Sequence, residues 1–203
     1  HLSLLDNSEY NLFSVDLELS EGSPNLSRSA LLADVRDKKR LKSVIKEERP
    51  NIIFHAAALK HVPMVEANIN EGIATNVIGT RNIADVAVEL GVETFIQIST
   101  DKAVNPSSIM GASKRMAEQY CQALNIAQTQ ASQLNFITVR FGNVLGSTGS
   151  VVEIFQNQIQ RGGPISVTHP DMTRYFMTIN EAVELVLQAS ALGREVEELG
   201  GRI

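Results

Sequence analysis

The stretch VETFIQISTDKAVNPSSIMGASK, residues 92–114, decides the fold. VETFIQIST is rich in β-branched and aromatic residues and reads as a strand. A polar loop containing Pro106 follows, and Met110 to about Gln128 reads as a helix. A strand feeding a helix through a short loop is the repeating unit of a parallel sheet. Met110 and Lys114 are four residues apart, so they share one side of that helix. Lysine titrates and methionine does not. Taken alone, a solvated lysine beside a core methionine fits this spacing too.

The same alternation extends in both directions. Leu2–Leu5 reads as a short strand, SEYNLFSVDLEL as a helix and SALLADVRD (Ser29–Asp37) as a second strand. KKRLKSVIKEER places Leu41, Val44 and Ile45 on one helical face before Pro50. NIIFHAAA is a third strand, apolar on both faces as buried parallel strands are. A long helix is expected over much of Val65–Leu90, stopped at Gly91. VETFIQIST is then the fourth strand and LNFITVRFG the fifth. SVVEIFQNQIQRG is helical, and the extended pieces PISVT and TRYFMT lead into the helix NEAVELVLQASAL.

The expected fold is a doubly wound parallel α/β sheet of Rossmann type. The rhythm changes near residue 151, giving a cofactor-binding core over 1–150 and part of a small substrate lobe over 151–203. Ligands of such sheets bind at the carboxyl ends of the strands. Here those ends are Asp6, Asp34, His55–Ala58, Ser99–Lys102 and Arg140–Asn143, which should share one crevice. No G-x-G-x-x-G turn occurs, and the glycine-rich Gly146–Ser150 follows the fifth strand. The opening strand and its phosphate loop are therefore expected upstream of His1.

With 203 residues, the chain can build one full-sized core. A net charge of −5 without a sustained basic run disfavours nucleic acid and anionic membrane surfaces. Cys121 is the only cysteine, which excludes an internal disulfide and fits a reducing compartment. The apolar runs fall short of the roughly 18 residues of a membrane helix. His55, His61 and His169 lack metal-ligand spacing, so no metal is expected.

Four ordered motifs carry a resemblance: HAAALKHVPMVEANINEGIATNVIGT, STDKAVNPSSIMGASK, RFGNVLGSTGSVV and PISVTHPDMTRYFMT. Together they resemble the nucleotide-sugar 4,6-dehydratases of bacterial polysaccharide biosynthesis, which are extended short-chain dehydrogenase/reductases. The UDP-N-acetylglucosamine 4,6-dehydratase branch is the best match. Longer members of that branch carry an N-terminal membrane region and a methionine where shorter ones have tyrosine, which Met110 matches.

The resemblance implies NAD, a UDP-sugar substrate, a homo-oligomer and a cytoplasmic catalytic domain. The chemistry it implies is oxidation at C4, loss of water across C5 and C6, and return of the hydride to C6. Asp101 would be the acid for water loss, Lys102 the base at C5, and Thr100 the hydrogen-bond partner of the C4 hydroxyl. Lys114 would grip the nicotinamide ribose beside Met110. Partial burial favours a protonated Asp101 and a neutral Lys102, although their mutual attraction opposes both.

On the cofactor side, Asp6 is expected on the adenosine ribose, with Asp34 and Val35 against the adenine. Capping of the following helices would equally employ Asp6 and Asp34. Ala56, Ala57 and Ala58 are small enough for close backbone approach, or simply fill a crowded core. Asn76 could bridge backbone groups near the active-site strand. Toward the substrate, Lys60, Asn143, Ser150 and Arg174 are expected on the sugar and diphosphate; a fork like that of Arg174 suits a diphosphate or an ion pair with Asp171.

Overall fold

The computed structural model of the protein describes residues 1–127, 134–147, 151–167 and 169–192. Strand β1 (Leu2–Asp6) leads into helix α1 (Glu9–Gly22), then β2 (Arg28–Leu32), α2 (Lys38–Glu48) and β3 (Ile52–His55). Helices α3 (Val62–Ala67) and α4 (Ile69–Ile73), a π-helical turn (Ala74–Gly79) and α5 (Thr80–Leu90) follow. Strand β4 (Thr94–Thr100) then precedes α6 (Ile109–Ala127) and β5 (Asn135–Phe141). Short strands β6 (Asn143–Val144) and β7 (Phe176–Met177) flank α7 (Val151–Gln160), and α8 (Ile179–Leu192) comes last.

All strand pairs are parallel: β1 with β2, β3 with β4, β4 with β5 and β6 with β7. The doubly wound α/β expectation is met. Two segments differ from it. The second strand ends at Leu32, because Asp34 turns back onto its own chain: its Oδ1 accepts from Arg36 N–H at 2.8 Å. The expected long helix is broken at Asn68, whose φ of −136° leaves the helical region. It then widens into the π-helical turn, which carries Asn76.

Local chemistry fixes the helix ends. Ser8 caps α1 by accepting from Asn11 N–H, and Asp37 caps α2 by accepting from Arg40 N–H. Gly91 ends α5 at φ 70°, a left-handed conformation that glycine adopts without steric cost. Glu66 of α3 reaches across to accept the Ile109 N–H at 2.7 Å, so α6 is capped by a neighbouring helix.

The main core lies between the sheet and helices α2, α5 and α6. It joins Leu41, Ile45, Ile53, Ile83, Val86, Phe95, Cys121 and Phe136. Phe95 is fully buried, with its ring 5.2 Å from that of Phe136. Phe95→Ala should cost about 3–5 kcal/mol, mostly from the cavity left behind. Urea unfolding would measure it, and a loss under about 1 kcal/mol would show that the site collapses around the gap.

A smaller core of Ile96, Ile137 and Val139 on the other face is covered by Val186 and Ala189 of α8. Strands β1 and β3 are not hydrogen-bonded to each other, although Leu5 of β1 packs on the cluster that holds Ile53. Leu32 and Phe54 remain about half exposed, at 52% and 47%. Among the described residues, no helix is long and apolar enough to cross a membrane.

Candidate active site

Strand β4 delivers Thr100, and the chain turns there into a single 3-10 turn, Asp101–Ala103. Lys102 Nζ donates to Asp101 Oδ1 at 3.0 Å and to Asn143 Oδ1 at 3.3 Å. Thr100 Oγ1 donates to Asp101 Oδ1 at 2.9 Å. The structure thus brings Thr100, Asp101, Lys102 and Asn143 together at the carboxyl ends of β4 and β5. The orientation of Asn143 follows from chemistry. Its N–H2 donates to the Tyr175 carbonyl, which can only accept, and its oxygen faces an ammonium, which can only donate.

Electrostatics sets the resting charges. Burial would raise the Asp101 carboxyl, but hydrogen bonds from Lys102 and Thr100 outweigh it and hold Asp101 below its ordinary range. Asp101 is therefore a carboxylate in this state, the reverse of what burial alone suggested. The cause is the 3.0 Å approach of the two side chains, with both about one-third exposed, at 39% and 35%.

Lys114 is 5% exposed, and its Nζ donates to the Ile98 carbonyl at 2.6 Å. Burial pushes its ammonium down to about 8, while Glu118 and Cys121 hold it up. Met110 is buried, at 3% exposed. Between them lies Gly111, where a Cβ would fall well inside contact distance of the Lys102 carbonyl. Gly111→Ala must therefore push the Lys102 turn off α6, at about 1–3 kcal/mol. Thermal melting would check it; unchanged stability would mean the turn gives way freely.

Asn76, buried in the π-helical turn, is the hub of a second cluster. Its oxygen accepts from Leu59 N–H, and its N–H2 donates to Leu59 O and Ser113 Oγ. Those bonds tie the loop after β3, with Ala56, Ala57, Ala58 and Lys60, to the helix that carries Lys114. Ala56, Ala57 and Lys60 are exposed there. Next to the cluster, Thr80 Oγ1 donates to Asn76 O, so it accepts from His55 Nε2–H.

At the β1 end, Asp6 Oδ1 accepts from Ser8 N–H at 2.7 Å, while Oδ2 makes no hydrogen bond among the described residues. Asp34, expected on an adenine, is gripped by Arg36, whose Nε and Nη2 reach it at 2.9 Å and 2.6 Å. That contact, against a smaller effect of burial, lowers its carboxyl to about 2. Val35 is buried beside it, and Asn82 of α5 donates to Val35 O and Arg36 O. Arg36 also bridges to Glu71 of α4.

Arg174 is exposed and donates only to Thr173 O among the described residues, so no Asp171 pair forms. Ser150 lies outside the described residues. Sequence reasoning passed over Arg36, Ser113 and Glu118. Glu118 had a signal, since it sits four residues after Lys114 on the same helical face. Among the described residues no group of His, Cys, Asp and Glu could hold a metal ion.

The pattern of the family described as "Polysaccharide biosynthesis protein" matches residues 1–199. The capsular polysaccharide biosynthesis protein CapD of Staphylococcus aureus is 52% identical over 94% of this chain and 32% of its own length. A UDP-N-acetylglucosamine 4,6-dehydratase (inverting) of Campylobacter jejuni is 40% identical over 77% of this chain and 46% of its own. A UDP-glucose 4-epimerase of Rickettsia rickettsii is 38% identical over 89% of this chain and 51% of its own. The chain thus spans about a third to a half of the length of these relatives. Among solved structures, the dTDP-glucose 4,6-dehydratase DesIV of Streptomyces venezuelae, crystallised with NAD, superposes with TM-score 0.77. It is 21% identical over 94% of this chain and 62% of its own, and that likeness speaks for the Rossmann-type fold.

Proposed function

This chain belongs to the family described as "Polysaccharide biosynthesis protein", and on that premise we propose that it carries the catalytic core of a UDP-N-acetylglucosamine 4,6-dehydratase. The observation that supports this most is the Asp101–Lys102 pair beside Asn143 at the strand ends. An epimerase has no need of a second acid–base pair.

The residues fit NAD. Asp6 keeps one carboxylate oxygen for a ribose diol, and its charge favours NAD over a 2′-phosphorylated cofactor. Ala56 and Ala57 expose small side chains along the loop that Asn76 holds. Lys114 lies below with its ammonium on β4. When bound, the cofactor would take a hydride from C4 of the sugar and return it at C6. Asp34 is saturated by Arg36, so it meets an adenine only if that pair opens.

The chain's own groups supply the elimination. The resting pair holds one shared proton on Lys102. Passing it along the 3.0 Å hydrogen bond gives a neutral acid and a neutral amine at no change in net charge. A substrate that displaces water favours this neutral pair, because burial penalises both charges. Lys102 would then take the C5 proton, and Asp101 would protonate the departing C6 hydroxyl, which leaves as water. As the hydride returns to C6, Lys102 would hand its proton back to C5, and the proton shed by the C4 hydroxyl on oxidation would recharge the amine. In this reading Thr100 would hydrogen-bond the C4 oxygen, and Arg174, with Lys60, would meet the diphosphate and sugar.

The core at 1–150 and lobe at 151–203 divide cofactor from substrate in this proposal, with Ser150 at the boundary. One parallel strand, with a glycine turn, would bridge the unpaired edges of β1 and β3 and cover Phe54 and Leu32. Relatives two to three times as long have room for it. Assembly into a homo-oligomer through exposed Met64, Ile69 and Met116, in the cytoplasm, belongs to the same proposal.

The test is mass spectrometry of UDP-N-acetylglucosamine incubated with NAD and a protein that spans this chain and the upstream strand. Loss of one water, giving a 4-keto-6-deoxy sugar, is expected. An unchanged mass with a C4 epimer would establish the 4-epimerase instead, the reading that the 38% identity to the Rickettsia enzyme keeps in play.

A further inference from the structure

Glu118 takes no part in the chemistry above, yet its side chain is fully buried. Each carboxylate oxygen is occupied. Oε1 accepts from Ser99 Oγ at 2.6 Å and from Arg140 Nε at 2.8 Å. Oε2 accepts from Arg140 Nη2 at 2.5 Å and from Arg115 Nη1 at 3.1 Å. These partners come from three elements. Ser99 stands two residues before Asp101 on β4, Arg140 three before Asn143 on β5, and Glu118 itself one turn after Lys114 on α6.

We propose that Glu118 is a positioning residue, whose carboxylate locks the Ser99–Lys102 turn and the Arg140–Asn143 turn onto α6, one helical turn from Lys114. A backbone sheet alone does not fix these pieces. The β4–β5 ladder ends at Thr100 and Phe141, so Asp101, Lys102 and Asn143 lie just beyond it. The Lys102–Asn143 contact spans that unladdered gap, and it survives only if the two strand ends keep their spacing. The Arg140 fork with Ser99 on one carboxylate reinforces that spacing one pair before the ladder ends.

The same carboxylate faces Lys114. The other titratable groups that face this lysine are Cys121 on its own helix and His55 at the end of β3. Burial disfavours the Lys114 cation, and Glu118 is the larger of the two groups that offset it. Glu118 stays ionised because hydrogen bonds from Arg140, Ser99 and Arg115 outweigh its own burial. Position and charge therefore come from one group.

The proposal rests on the site reading above only in calling these segments functional, and its test needs neither cofactor nor sugar. A chain that never dehydrates a sugar nucleotide would leave the test intact. In the full chain labelled with 13C-lysine, the Lys114 Cε resonance is followed by NMR across pH. Glu118→Gln keeps shape and removes charge, so the midpoint should fall below its parent value of about 8. Glu118→Asp, which keeps the charge, should restore it. An unmoved midpoint in Glu118→Gln would overturn the proposal.

Should Glu118→Gln fail to fold, Ser99→Ala removes one bond and leaves the ion pairs. Amide hydrogen exchange at Thr100 and Asn143 should then quicken about tenfold, the size of one lost hydrogen bond, with β1 unaffected. Equal protection in Ser99→Ala and parent would overturn the proposal as well.

Discussion

Lys102→Met should lower the rate of water loss by about 10²–10⁴-fold, the range a positioned general base contributes. The assay is conversion of UDP-N-acetylglucosamine by a full-length protein that contains this chain. Asp101→Asn should fall in the same range, since the two side chains share one proton through a 3.0 Å contact. The double variant should be little worse than either single one, because partners acting as a unit are not additive.

Stability does not confound this result. Both side chains are about one-third exposed, and a pair so exposed contributes at most about 1 kcal/mol. A loss of 10² or more in rate corresponds to about 3 kcal/mol or more in transition-state binding. The chemical effect therefore dominates, and melting temperatures should stay near parent. Full turnover with unshifted kcat in both single variants would end the assignment.

The second large effect is acid destabilisation through His55. This ring is 2% exposed at the end of β3, between Phe95 and Thr80. Burial, with a smaller push from Lys114, lowers its imidazole to about 3 from the ordinary 6.5. The folded chain thus keeps His55 neutral where the unfolded chain protonates it. Stability from this group is complete above about pH 6.5 and drains away as pH falls toward about 3.

The full difference amounts to about 5 kcal/mol, comparable with the whole stability of a small domain. Carboxylates such as Asp34 and Asp101, held low by their partners, lose their contribution only in more acid solution. Urea unfolding between about pH 6.5 and pH 5 isolates the histidine. His55→Gln can still donate to Thr80 and does not titrate, so its stability should be flat across that window. Parallel slopes for parent and variant would show that His55 is not the cause.

Much of this protein was legible before any coordinates. Alternation of VETFIQIST with the Met110 helix, repeated along the chain, predicted a parallel α/β sheet because hydrophobic period is a local property. Gly91 announced the end of α5 for an equally local reason. The grouping of Thr100, Asp101, Lys102 and Asn143 followed from the rule that strand ends share one crevice.

Other features were not local. The π-helical turn at Asn76 and the break at Asn68 depend on what the helix packs against. Arg36 captures Asp34 in three dimensions, which no spacing rule distinguishes from a solvated pair.

The sequence by itself determined which groups can exchange protons, and that Met110 cannot. Only the tertiary structure decided their charge. Asp101 is a carboxylate because Lys102 and Thr100 bond to it, and Lys114 is weakened as a cation because it is buried. Residue identity fixes which protons can move, whereas burial and the distance to a partner fix the free energy of moving them.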